Sequence, residues 1–389
     1  MKANRAYKFR LYPNKAQQEL IHKTFGCVRF VYNKMLGEKI AHYQKHGESL
    51  QVTPAKYKAD FEWLKEVDSL ALTSEWKHLE KAYSNFFRSK SMGFPKFKSK
   101  KSDRRSYTTN CVNGNIRIEG KCIKLPKLGF VKVKQHRIIP TYYKLKSATI
   151  SQTASGKYYV AILFEYQTDI QPKPIKNTIG LDFSMAELYI SSDSNNPQYP
   201  RFYRRALDKL KRMQRVLSKM QKYSSNYYKQ KRKIAKYHEY IANSRKDFLH
   251  KQSRQIANAY DCVAIEDLNM RAMAQSLNFG KSIHDNGWGM FVIFLNYKLA
   301  EQGKYLIKID KWFPSSKTCS ACGTIKNEIS LSERIYICDC GCILDRDINA
   351  AINIKNEGLR MIKEMALPSV KEMALPSVKE MALPSVSVA

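Results

Sequence analysis

Two spacings of apolar residues alternate along the first half of the chain. Residues 1–11 alternate as a β-strand does, and Pro13 then opens a helical pattern. The apolar positions of that pattern are Leu20, Ile21, Phe25, Val28, Val31, Met35, Leu36 and Ile40. Helical spacing returns from about 54 to 90, so helices are predicted across about 13–90.

Short strands are predicted after the basic stretch 93–105, which contains Pro and Gly. The strand-like segments are GNIRIEG, KCIKLPK, GFVKVKQ and SATISQTASGKYYVAILFEY. The NGN and ASGK turns in this region suit β-hairpins. Residues 1–171 are therefore predicted to form a small β-barrel with a helical insertion.

The second half of the chain is predicted to be an α/β domain, 172–358, that follows a linker at 171–177. Its strands are predicted within TIGLDFSMAELYISSD (two strands), YDCVAIEDL and KYLIKID. A long basic segment with heptad-like apolar positions predicts a helical hairpin inserted at about 201–250. An apolar-faced helix that Gly303 stops and a helix from about Ile348 complete the domain.

One eight-residue sequence occurs three times in tandem at the C-terminus. KEMALPSV occupies 363–370, 371–378 and 379–386. A proline every eight residues forbids a continuous helix, and three short units are too few to build a solenoid core. Residues 359–389 are therefore predicted to be a disordered tail.

Charge indicates the class of partner. The 389 residues include 68 Lys and Arg against 34 Asp and Glu, a net charge of +34 spread along most of the chain. This excess indicates long-range attraction to nucleic acid. Solubility needs less charge, and an anionic membrane needs an anchor that the pattern lacks. No apolar run reaches about 18 residues, and the basic N-terminus has no signal-peptide core. We expect a cytoplasmic protein, nucleoid-associated when bound to DNA, with no membrane partner.

Three carboxylates each stand at the end of a predicted element. Asp182 ends one apolar strand, Glu266 ends another, and Asp347 starts the last helix. Carboxylates that converge repel one another unless cations neutralise them, and oxygen ligands without histidine favour Mg²⁺ or Mn²⁺. Two such ions suit phosphodiester hydrolysis. Two plainer interpretations stay open: Asp345 or Asp347 caps the helix, and Glu266 faces water.

Five of the nine cysteines lie within 319–342, and this clustering favours a metal over disulfides. Cys319 and Cys322 have C-x-x-C spacing, and fifteen residues separate Cys322 from Cys338, as in a zinc ribbon, here 315–342. We choose Cys338 and Cys340 as the second pair because Gly341 mirrors Gly323, with Cys342 in reserve. Four thiolates make a closed structural Zn²⁺ site. The alternative is a metal-free, easily oxidised cluster. The remaining cysteines, predicted to be small buried hydrophobes, are Cys27, Cys111, Cys122 and Cys262.

With these motifs the chain resembles the TnpB family, the transposon-encoded RNA-guided nucleases related to type V CRISPR effectors. The resemblance covers roughly residues 1–358. It rests on GLDFSMAELY around Asp182, AIEDLNM around Glu266, the FPSSKTCSACG knuckle, and CGCILDRDINAAINI around Asp347. Two features depart from the family pattern: C-x-C replaces C-x-x-C in the second knuckle, and the repeated tail is extra.

The resemblance implies a fold, a site and partners. It implies an N-terminal wedge-type β-barrel with a helical recognition insertion and a C-terminal RuvC nuclease domain of the RNase H-like fold, with the zinc ribbon inserted. Asp182, Glu266 and Asp347 would be catalytic and hold the Mg²⁺ ions. The partners would be a guide RNA from the element end and target DNA beside a short motif, so that base pairing reads the sequence.

Residue-level reasoning also leaves other functions and roles open. Because all three acids are present, a guided repressor that binds without cutting is disfavoured. A transposase that acts on the element ends uses the same three-acid chemistry, but the zinc ribbon and the basic N-terminal half fit a guided nuclease better. Arg346 is a candidate for a phosphate or backbone contact, or a surface charge at the helix start. The zinc knuckle is a candidate clip that orients Asp347 toward the other acids.

Overall fold

The structure is a computed structural model that describes residues 1–89, 91–101, 105–276, 280–330 and 332–365. The chain divides into two compact units, Met1–Thr168 and the part that begins at Asp169. The division falls just before the predicted boundary at residue 171. In the described part of the chain, no helix combines the length and the apolar character that crossing a membrane requires.

The first unit is one sheet with a helical layer between its first two strands. Its strands are β1 Lys2–Tyr12, β2 Arg105–Asn110, β3 Arg117–Glu119, β4 Cys122–Leu125, β5 Gly129–Lys134, β6 Lys144–Gln152 and β7 Tyr158–Gln167. Its α-helices are α1 Lys15–His46, α2 Tyr57–Asp60 and α3 Ser69–Arg88, with short 3₁₀ turns at Pro54–Lys56 and Glu62–Lys65. The predicted helical insertion is confirmed.

Local chemistry explains these elements. Asn14 and Gln17 form a reciprocal capping box at the start of α1, and Gly47 ends the helix in the left-handed region with φ 70°. Strand β7 alternates, so Val160 and Ile162 point into a core that the apolar face of α1 covers. The helices and the sheet therefore share one core.

The predicted β-barrel is an open half-barrel. The strand order is β2-β6-β7-β1-β5-β4-β3, and among the described residues the edge strands β2 and β3 do not pair with each other. The loop between them turns back on itself at Asn113 and Gly114, both with positive φ, and β3 is only three residues long. The NGN turn is therefore not a hairpin, whereas the ASGK turn joins the paired strands β6 and β7 as predicted.

The second unit has a four-stranded sheet, a small ribbon and six helices in its described part. The strands are β8 Thr178–Phe183, β9 Tyr189–Ser191, β10 Cys262–Glu266, β11 Tyr305–Ile309, β12 Ile335–Ile337 and β13 Ile343–Asp345. The helices are α4 Phe202–Ser218, α5 Ser225–Ala259, α6 Met270–Ser276, α7 Gly280–Asn286, α8 Trp288–Ala300 and α9 Arg346–Met365. The predicted hairpin corresponds to α4 and α5.

The main sheet of the second unit is covered on both faces. Its order is β11-β10-β8-β9, with β8, β10 and β11 parallel and β9 antiparallel at the edge. Apolar residues of α5 and α8 pack on one face, and α9 packs on the other. Two glycines bring α9 close. A Cβ on Gly180 would lie 2.0 Å from the carbonyl oxygen of Ala351, and one on Gly358 would lie 2.5 Å from Ala264 Cβ.

The last helix is longer than predicted. Residues 359–365, assigned above to a disordered tail, continue α9, because the first proline of the repeats comes only at Pro368. Arg360 supports this last part through ion pairs with Glu357 and Glu364. The remainder of the predicted tail lies outside the described residues.

Gly180→Ala tests the close approach of α9 to β8. Because the added methyl would meet backbone atoms that cannot step aside, we expect the second unit to lose about 3 kcal/mol of unfolding free energy. Thermal and urea unfolding measure the loss. Gly289→Ala in α8 is the control, since its added Cβ meets nothing within 4 Å. Equal stability of the two variants would contradict the packing.

Candidate functional site

Strand register puts two of the predicted acids side by side. In the parallel pair β8 and β10, Ile265 lies opposite Leu181, and the residues that follow are Glu266 and Asp182. Leu181 and Ile265 belong to the core beneath α8. Because side chains alternate along a strand, Asp182 and Glu266 point to the opposite face, toward α9.

The third acid, Asp347, lies in the first turn of α9. The cap of that helix is Asp345, whose Oδ1 accepts the backbone N–H groups of Asp347 at 2.9 Å and Ile348 at 3.1 Å. Assigning the cap to Asp345 leaves the Asp347 carboxylate available for another role. Its side chain is 38% exposed and lies 3.6 Å from Arg346 Nε.

The charges of the two other acids affect the pKa of Asp182. Burial, and then the charges of Glu266 and Asp347, raise the pKa of Asp182 well above its ordinary value. Burial also raises the pKa of Glu266. The alternative that Glu266 is a plain water-facing strand end does not fit this environment.

Glu266 has a hydrogen-bond donor of its own. Ser315 is buried, and its Oγ donates to Glu266 Oε1 at 2.6 Å. This bond favours the ionised carboxylate and lowers the pKa that burial raises. The bond also fixes which way the Glu266 side chain points.

Two asparagines of α9 hold the segment that carries Ser315. Asn353 Nδ2 donates to the carbonyl oxygens of Ser315 at 2.8 Å and Thr318 at 2.6 Å. Asn349 Nδ2 donates to Thr318 at 2.7 Å, and Asn349 Oδ1 accepts the N–H of Ser320 at 2.9 Å. Both asparagines are buried, one helical turn apart. We call these four bonds the asparagine clamp.

The predicted cysteines meet. Cys319, Cys322, Cys338 and Cys340 offer sulfur atoms that all lie within 4.8 Å of one another. The Sγ atoms of Cys319 and Cys340 are 3.7 Å apart, and those of Cys322 and Cys338 are 3.6 Å apart. Tetrahedral geometry with Zn–S bonds of ~2.3 Å requires ~3.8 Å between sulfurs. Hydrogen bonds with Thr324 lower the pKa of Cys322 to about 6, which favours the thiolate.

The two knuckles are built alike although their lengths differ. In the first, the Gly323 N–H donates to the Cys319 carbonyl, and the Cys319 N–H donates to the carbonyl of Thr324. In the second, Gly341 N–H donates to Cys338, and Cys338 N–H donates to Cys342. Both glycines have positive φ. Cys342 therefore holds the structural position of Thr324, and the sulfur that completes the group belongs to Cys340.

Other predicted residues have mixed outcomes. Arg346 Nη1 donates to the Ser330 carbonyl at 3.2 Å, and its contact with a phosphate stays a prediction. Burial raises the pKa of Cys27 to about 11 and that of Cys262 to about 12, as expected for small buried residues. Cys111 and Cys122 are only half-buried, because they sit at strand ends near the sheet edges.

Sequence reasoning missed Ser315, Asn349 and Asn353. Ser315 lies in the FPSSKTC segment, where two adjacent serines give no sign of which one is buried. The asparagines did leave a signal. They are four residues apart on the apolar face of INAAINI, and a polar residue on a buried helix face needs a partner.

Three family models match the chain. One described as "Probable transposase" (OrfB, IS605) matches residues 161–277, and one described as "Cas12f1-like, TNB domain" matches 288–354. A third, "Helix-turn-helix domain", matches 1–48. Over that range the structure has β1 followed by the single helix α1, so the third description does not describe the fold seen here.

Whole-chain relatives and one solved structure agree with these models. A "Putative RNA-guided DNA endonuclease" of Streptomyces pristinaespiralis is 35% identical and covers 91% of this chain and 89% of its own. InsQ of Escherichia coli K12, described likewise, is 32% identical over 92% of this chain and 93% of its own. The fold resembles a chain in the "Cryo-EM structure of the Cas12f1-sgRNA-target DNA complex", with TM-score 0.57 and 12% identity over 91% of this chain and 99% of that one. By these matches the chain belongs to the TnpB (OrfB) family.

Proposed function

We propose that the protein is an RNA-guided, metal-dependent DNA endonuclease encoded by a transposable element. One observation carries the proposal: at the carboxyl edge of the parallel strands β8 and β10, burial and then the charges of Glu266 and Asp347 raise the pKa of Asp182. The relatives' descriptions supply the guide RNA and the DNA substrate. The net charge of +34 supplies attraction to both nucleic acids.

The donor set of this edge fits hard divalent cations. The three acids offer only oxygen ligands, and the raised pKa of Asp182 means that a nearby positive charge would be favourable. Two Mg²⁺ or Mn²⁺ ions would activate the attacking water and stabilise the leaving oxygen of a phosphodiester.

The chain's own residues prepare the edge for this chemistry. The hydroxyl of Ser315 orients Glu266 and favours its ionised form. Asp345 caps α9, so the Asp347 carboxylate does not bond to its own helix. Arg346, mostly buried beside Asp347, would contact a phosphate of the substrate while one nitrogen stays on Ser330. The edge therefore combines ligands for cations with a cation for the substrate.

The fold supports a finer assignment as well. We assign the second unit to the RuvC type of the RNase H-like fold, because acids from two neighbouring parallel strands face a helix that carries the third. The half-barrel with its helical layer would be the guide- and target-recognition unit. The four cysteines would hold one structural Zn²⁺, since their sulfur separations fit a tetrahedron.

Asp182→Asn tests the nuclease assignment. The protein, purified with RNA from its own locus, should cut a matching plasmid with a randomised flank in Mg²⁺. The variant should cut about a thousand-fold more slowly or less, because one ligand is lost while shape is kept. RNA and DNA binding should stay near normal. Asp267→Asn, an exposed neighbour of Glu266, is the control. Cutting without RNA, or strand-joined products, would overturn the assignment.

Ser315→Ala tests the orientation of Glu266. Loss of the 2.6 Å bond removes a stabiliser of the carboxylate, so the pKa of Glu266 should rise. Cutting requires the ionised Glu266 carboxylate. As the pH is lowered, the variant should therefore lose activity at a higher pH than the unchanged protein does. The Mg²⁺ concentration for half-maximal cutting should rise about ten-fold. The exposed neighbour supplies the control Ser316→Ala. Equal pH profiles and equal Mg²⁺ requirements would refute the role.

Cys340→Ser and Cys342→Ser separate the two readings of the short knuckle. Because Cys340 completes the sulfur group, its substitution should lower bound zinc from one ion per chain toward zero and lower the melting temperature of the second unit. Cys342→Ser should keep the zinc. Atomic-emission analysis of dialysed protein measures both. Zinc loss in the Cys342 variant alone would reverse the assignment.

A further inference from the structure

An exposed group of rings lies where α3 ends and the following loop returns over the helical layer. We call it the aromatic patch, and its members are Tyr83, Phe86, Phe87, Phe94 and Phe97. Phe87 is 78% exposed and Phe97 is 58% exposed, although phenylalanine is usually buried. Because the exposure of apolar rings to water is unfavourable, a group of exposed rings on a protein surface indicates an interaction site.

Cations outnumber acids around the patch, and the two acids near it, Glu75 and Glu80, pair with Lys98 and Lys39. Residues 81–101 contain seven Lys and Arg and no Asp or Glu. Arg88, Lys96 and Lys100 are exposed. A patch that alternates rings with cations is complementary to a strand that alternates bases with phosphates.

The loop that carries Phe94 and Phe97 is anchored to the helices beneath it. Asn33 of α1 accepts the Lys98 N–H at 2.7 Å and donates to the Lys98 carbonyl at 2.9 Å. The Lys98 ammonium pairs with the buried Glu75 and lies 4.2 Å from the centre of the Tyr32 ring. Four contacts on one residue hold the loop, so its rings are ordered before any partner arrives.

The rings themselves are set at fixed angles. Phe94 meets Tyr83 and Phe86 edge to face, with interplanar angles of 87° and 84°. Phe87 is tilted 61° from Phe86 and keeps an open face. The Phe97 ring lies over α1 at Gly37, where a Cβ would touch it at 3.9 Å. Phe87 and Phe97 are therefore exposed rings held on a rigid base.

We propose that the aromatic patch binds an unpaired stretch of nucleic acid, stacking bases on Phe87 and Phe97 while Arg88, Lys96 and Lys100 contact its phosphates. RNA and DNA offer the same chemistry here, because stacking does not read the 2′-hydroxyl. This goes beyond the cleavage edge, which lies in the other unit. It rests on the proposed function only for the source of the strand, either guide RNA or unwound DNA.

A membrane surface would use the same residue types differently. Interfacial binding needs a broad apolar face along a helix, whereas these rings come from a helix end and a loop and are separated by cations. The loop anchoring also favours stacking, because rigid rings lose little entropy when a base covers them.

Abasic probes separate stacking from charge. Full-length protein carrying Asp182→Asn, without Mg²⁺ and at about 0.2 M salt, is titrated into fluorescent dT or rU tracts of about ten nucleotides and into abasic tracts of equal length. Fluorescence anisotropy should show about ten-fold or more tighter binding to either base-bearing tract. Phe87→Leu with Phe97→Leu should remove that preference and leave abasic binding unchanged. Lys96→Gln with Lys100→Gln should weaken binding to all tracts alike.

The control is Phe130→Leu, an exposed phenylalanine on β5 of the same unit, which should keep the base preference. Equal binding of abasic and base-bearing tracts would overturn the proposal, as would a preference that survives the double Phe variant. Phenylalanine-dependent binding to anionic phosphatidylserine vesicles with no base preference would assign the patch to membranes instead. A base preference in a protein that never cuts DNA would leave this proposal standing and remove the nuclease.

Discussion

The asparagine clamp is the interaction on which the second unit's site depends. Its four bonds connect α9, which begins with Asp347, to the segment 315–320, which carries Ser315 and Cys319. Buried amides and carbonyls are costly when left unpaired, so the helix and the segment must occupy one relative position. That position puts Ser315 on Glu266. The clamp therefore links the cysteine group to the acids without a direct contact between them.

Mutual repulsion makes this group of three acids electrostatically unfavourable unless positive charge is nearby. A protein with a large cationic excess gathers three acids where burial and mutual repulsion raise the pKa of Asp182. Burying these carboxylates in their charged form costs folding free energy that a positive charge would offset.

Sequence patterns predicted the elements better than their pairing. Apolar runs identified β8 and β10, and their carboxyl-terminal acids identified Asp182 and Glu266, because parallel buried strands leave a strong signal. Closure of the first unit's sheet into a barrel was predicted wrongly. The sequence of a short strand such as β3 does not show whether it pairs on both sides or lies at the edge of the sheet. Ser315 was missed because its burial depends on α9, which is distant in sequence. The choice of Cys340 was correct in geometry because glycine position, and not cysteine spacing, defines the knuckle.

The second knuckle also bears on how such proteins are recognised in genomes. Its turn closes one residue sooner than the first, yet the same backbone bonds form and the same sulfur positions result. A motif search that requires C-x-x-C in both knuckles would reject this chain as a degraded gene copy. A search keyed to the glycine after each second cysteine, and to the residue whose carbonyl closes each turn, would retain it among intact genes.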